Sequence, residues 1–133
     1  MTAFDAHALA SLRQGLEHFR VHDYFAAHDD WEEVWRELSG RRRMFWQAMI
    51  HLVVGGYHYT NGNLRGCRGQ WQKALQKCVD LIQGYDDPVP APITALYAMV
   101  QEGLALLDND ENPLPHLETF AASVVSENWF TLV

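Results

Sequence analysis

The chain has 133 residues, 48% apolar and 20% charged, which suits one folded domain able to bury a sizeable core. Ten basic against seventeen acidic side chains leave a net charge of −7 with neutral histidines, which opposes attraction to phosphate backbones and argues against a nucleic-acid partner. No apolar run approaches the roughly 20 residues of a membrane span, and Met1 to His7 lack a basic start and an apolar signal core, so the expectation is a cytoplasmic protein with no membrane partner.

Leu9, Leu12, Leu16 and Phe19 recur at steps of three and four and predict a first amphipathic helix over about residues 4–20. Val21-His22-Asp23 breaks it, and Asp23 can cap a second helix from Tyr24 to Leu38. That helix is expected to stop at Ser39-Gly40, where glycine takes the left-handed turn. Arg41-Arg42-Arg43 begins a third helix, about Met44 to Thr60, whose apolar residues lie on every side and predict a central, enclosed position. Gly55-Gly56 interrupts it, and each glycine costs about 1 kcal/mol relative to alanine unless a neighbour needs the room, so close packing is expected there.

Asn61-Gly62-Asn63 is a tight connection, and a fourth helix follows with Leu64, Cys67, Trp71, Leu75, Cys78 and Ile82 on one stripe. Cys67 and Cys78 would share a face about 16 Å apart along the axis, beyond disulfide reach, and read as reduced, half-buried core residues. A break over 84–92 precedes a fifth helix from Ile93 to Leu107. Asp108-x-Asp110-x-Asn112 begins like a calcium loop, but Pro113 stands where that loop needs glycine, so a solvated acidic turn is expected. The tail from Leu114 to Val133 is expected to carry a short helix around Glu118 to Val125, with Trp129 and Phe130 packing back on the bundle or on a second subunit.

Shifting the chain by forty places Phe19, Asp23, Tyr24, Ala27, Trp31 and Trp35 on Tyr59, Asn63, Leu64, Cys67, Trp71 and Leu75. Each copy is a helix, a turn and a helix. The expected fold is a single all-α domain over 1–133, a bundle of five main helices built from packed helical hairpins, with the third helix at its centre.

The candidate site lies on the second and third helices. With His28 as origin, Tyr24, Trp31 and Trp35 fall to one side and Glu32 and Phe25 to the other, all within about 60°, so His28 and Glu32 are expected to face inward along an aromatic stripe. Gln47, His51 and His58 share one face of the third helix. One reading is a buried hydrogen-bond network of His28, Glu32, Gln47, His51 and His58, with Trp31, Trp35 and Arg43 at its border, serving a binding or scaffold role. A second is a metal-dependent, hydrolase-like protein in which His28, Glu32 and His58 hold zinc or another divalent first-row metal. A third is a helical-hairpin adaptor for a protein partner or a second copy, through a Trp129/Phe130 tail or the acidic side of the second helix. If Arg43 and the histidines border an open cleft, a small anionic ligand would fit. The chain contains no Gly-x-Ser-x-Gly elbow, phosphate-cradling glycine loop or Cys-x-x-Cys pair, so nucleophilic catalysis has little support.

The strings His28-Asp29-Asp30-Trp31-Glu32-Glu33-Val34-Trp35, Gln47-Ala48-Met49-Ile50-His51, His58, and Gly62-Asn63-Leu64-Arg65-Gly66 resemble the helical family numbered 309 among domains of unknown function. The resemblance covers roughly Val21 to Leu81 and departs from the family pattern at Asp29 and His51. It implies a small all-α domain and no particular activity.

Overall fold

A computed structural model describes residues 6–86, 88–126 and 129, and in it the helical periodicity resolves into α1 (Ala6–Arg20), α2 (Tyr24–Trp35), α3 (Gly40–Thr60), α4 (Leu64–Gln83), α5 (Ala91–Asp108) and α6 (Leu114–Thr119), followed by a π-helical turn, Phe120–Val124. The all-α expectation holds. Three reversals of one geometry order these elements. His22, Gly62 and Asp110 take positive φ of 67°, 75° and 57°. The residue after each donates its N–H to a carbonyl five residues back, Asp23 to His18, Asn63 to His58 and Glu111 to Leu106, each at 2.8 Å. These are left-handed helix stops that satisfy end carbonyls. Asp23 and Asn63 also cap the helices they precede, accepting from Ala26 N at 3.2 Å and Gly66 N at 2.8 Å. Among the described residues the helices therefore form three hairpins, α1–α2, α3–α4 and α5–α6.

Glycine facing tryptophan locks the first two hairpins. A Cβ on Gly15 would overlap the pyrrole edge of Trp31, and one on Gly55 would overlap that of Trp71. Both indoles are fully buried and donate to a backbone carbonyl nineteen residues upstream, Trp31 Nε1 to Leu12 O at 3.2 Å and Trp71 Nε1 to Leu52 O at 2.9 Å. The benzo edge of Trp71 reaches the next hairpin, where a Cβ on Gly103 would stand 2.6 Å from its Cζ3. A missing side chain thus admits a large ring, which offsets the low helix propensity of glycine. At Gly56 the close neighbours are Leu117 and Tyr24, so the expected tight packing at Gly55-Gly56 is met on two sides of α3.

The C-terminal segment returns across the first hairpin. Phe120 meets Phe19 at 6.3 Å between ring centroids, and Arg20 donates to Val125 O at 2.9 Å. Trp129 packs edge-on against Phe45 and Phe120, at 6.1 and 5.6 Å. It is buried, which removes it as an exposed adaptor surface, and Phe130 lies outside the described residues.

Several boundaries differ from expectation. α2 ends at Trp35 because Glu37 and Leu38 bond back three residues, to Val34 O and Trp35 O, and tighten the last turn. α3 begins at Gly40 (φ 62°) and takes in the three arginines. The sixth helix starts at Leu114, where Asn112 Oδ1 accepts its N–H at 2.9 Å, rather than at Glu118. Cys67 and Cys78 are fully rather than half buried, and burial pushes both thiols up to about 12. Asp108, at the acidic turn, pairs with Arg68. No helix among the described residues is long and apolar enough to cross a membrane.

Candidate functional site

Asp23 sets the phase of α2. Tyr24, Ala27, Trp31 and Val34 turn into the core, so His28 and Glu32 ride one step around the helix, at the rim of the buried stripe. Their side chains are 22% and 39% exposed, with His28 Nε2 3.4 Å from Glu32 Oε2. The expected withdrawal of Glu32 into the core does not occur, because the four core positions leave it at the water boundary. His28 Nδ1 lies 3.2 Å from Asp29 Oδ1 without hydrogen-bond alignment, and it is buried with no hydrogen-bond partner.

Two exposed rings flank this pair. Phe25 on α2 and Tyr57 on α3 are 51% and 38% exposed, yet their centroids are 5.3 Å apart. Phe25 also meets the His28 ring at 5.7 Å, and Tyr57 meets that of His58 at 6.1 Å. The outcome is an aromatic ledge across the α2–α3 junction with the acidic groups Asp29 and Glu32 beside it.

The remaining expected members stand apart. His51 Nδ1 bonds Gln70 Oε1 on α4 at 2.7 Å. Burial pulls its pKa below the usual histidine value, opposed by the Gln70 bond and helped by Lys77 and Lys73. His58 Nδ1 faces Asn63 Nδ2, the α4 cap, at 3.5 Å. Gln47 is half-buried on α3. The five-membered cluster therefore opens into the pairs His28–Glu32, His51–Gln70 and His58–Asn63. Among the described residues no three of His, Cys, Asp and Glu stand where they could hold one metal ion, so the set His28, Glu32 and His58 is not assembled. Trp31 lies in the core rather than at the border of a polar network, while Trp35 lies under the Arg43 guanidinium, 4.4 Å from its centroid.

Sequence reasoning missed Gln70 and Asn63 as partners, the Phe25–Tyr57 ledge, and the 2.6 Å pair of His18 Nδ1 with Asp30 Oδ2 that ties α1 to α2. The tight connection read at Asn61-Gly62-Asn63, which brings the end of the third helix to the start of the fourth, bears on the His58–Asn63 pair.

Residues 12–70 match the family described as a domain of unknown function (DUF309), as the motif strings implied, and the matched stretch runs from α1 into α4. The uncharacterized protein YpuF of Bacillus subtilis (strain 168) is 33% identical over 54 residues, 40% of this chain. The match spans 31% of that protein. No solved structure matches the chain.

Proposed function

We propose that this chain, whose residues 12–70 match the DUF309 family, is a helical-hairpin binding domain that takes a basic segment of a partner protein on the α2–α3 face. The observation that carries this reading is the exposed Phe25–Tyr57 ring pair. Large rings left in water at a helix junction, rimmed by polar groups, mark contact surfaces, and aromatic anchors dominate binding energy at interfaces. Charge selects the partner's sign. Asp29 and Glu32 border the rings in a chain of net charge −7, and aromatic faces attract arginine and lysine.

Calorimetric titration with a short peptide alternating arginine and leucine tests it, against the same peptide carrying glutamate for arginine. The arginine peptide binds the native chain, weakens with added salt, and binds Phe25→Ser/Tyr57→Ser at least about tenfold less tightly. Equal affinity for the two peptides, or for native and double-variant protein, contradicts the reading.

A further inference from the structure

The third hairpin lacks the indole that fills the first two. α6 and the π-helical turn contain no tryptophan, and between them and α5 a cleft of about 400 Å³ opens. Ala98 and Met99 of α5 and Phe120 and Val124 of the π-helical turn give it apolar walls, while Glu102 and His116 are polar groups within it. His116 Nε2 is buried with no hydrogen-bond partner, an expensive condition for a ring nitrogen. A π-helical turn is rare and recurs at functional sites. Here it holds Phe120 and Val124 on one wall.

We propose that this cleft binds a compact apolar molecule carrying a primary ammonium group. Its volume lies in the range of small-molecule sites, which pair apolar walls with a few polar groups that fix orientation. Glu102 supplies the opposite charge. The imidazole of His116, which lines the cleft, accepts one ammonium N–H at Nε2 in the tautomer that carries its proton on Nδ1. An ammonium group has three donors, enough for both partners. A carboxylate on the same apolar body meets repulsion from Glu102, and an alcohol leaves that carboxylate without a counter-charge.

The test is calorimetric titration of the full chain with phenethylamine, 2-phenylethanol and phenylacetate, repeated on Glu102→Gln and Ala98→Trp, two exposed positions whose variants are first checked for unchanged melting temperature. Phenethylamine binds saturably and at least about tenfold more tightly than the alcohol, and phenylacetate does not bind. Glu102→Gln weakens the amine by about tenfold and Ala98→Trp blocks it, while Phe25→Ser/Tyr57→Ser leaves it unchanged. Equal binding of all three probes, no saturation by phenethylamine below about 10 mM, or native affinity in Glu102→Gln overturns the proposal.

Discussion

Replacing Gly55 by alanine is expected to damage the fold more than a one-carbon change usually does. The added Cβ overlaps Cδ1 and Nε1 of Trp71, whose ring is fully buried and already meets Gly103 on its other edge, so it cannot retreat toward α5. Overpacking of this kind costs about 1–3 kcal/mol. Tilting the ring away also breaks the 2.9 Å bond from Nε1 to Leu52 O and leaves the buried indole N–H unpaired, a further ~1–3 kcal/mol. Alanine returns about 0.5–1 kcal/mol in helix propensity. The net loss is about 1–5 kcal/mol, and the middle of that range is roughly 10 °C in melting temperature for a domain of this size. Urea unfolding followed by circular dichroism measures it, and Gly69→Ala is the control. No atom lies within 4 Å of a Cβ at Gly69, in the same α4 helix as Trp71, so that change gains about 0.5–1 kcal/mol. Equal stabilities for the two variants would refute the glycine–tryptophan argument.

Trp31→Phe and Trp71→Phe are expected to destabilise by similar amounts, about 1–3 kcal/mol each, because each loses a buried indole N–H bond and leaves a gap beside the facing glycine; unequal unfolding free energies would break the equivalence of the two hairpins. Burial holds His51 below its unfolded pKa, so its contribution to stability is full above about pH 6.5 and is lost as the pH falls through the folded value, where the unfolded chain has already taken up the proton. Native protein should therefore lose more stability than His51→Gln between about pH 7.5 and 5.5, as denaturant midpoints will record. Trp129→Ala is expected to cost about 3–5 kcal/mol of stability, read by thermal melting, since its ring fills a site between Phe45 and Phe120.

The fold was largely legible because its signals are local. Leucine spacing, the Asp23 cap and the apolar girth of α3 need no knowledge of distant residues, and the forty-residue echo placed the tryptophans that form the same buried bond in both hairpins. The third hairpin was legible only in outline, as a fifth helix, an acidic turn and a short helix. Its connection runs on to Pro113 and its second helix is six residues long, so it gives no echo in a sequence shift, and that helix starts at Leu114 rather than near Glu118. The site was less legible for a related reason. A helical wheel gives the direction of Glu32 and Phe25 but not what covers them, and the four core positions of α2 leave both at the water boundary. Gln70 could not be paired with His51 without knowing how α4 lies on α3.

The central claim is that the α2–α3 face receives a cationic segment, and amide chemical-shift mapping of the full chain during titration with the arginine–leucine peptide tests it most directly. Shifts concentrated at Phe25, His28, Asp29, Glu32 and Tyr57 are the predicted result. Shifts confined to the α5–α6 side, or none at saturating peptide, would contradict it.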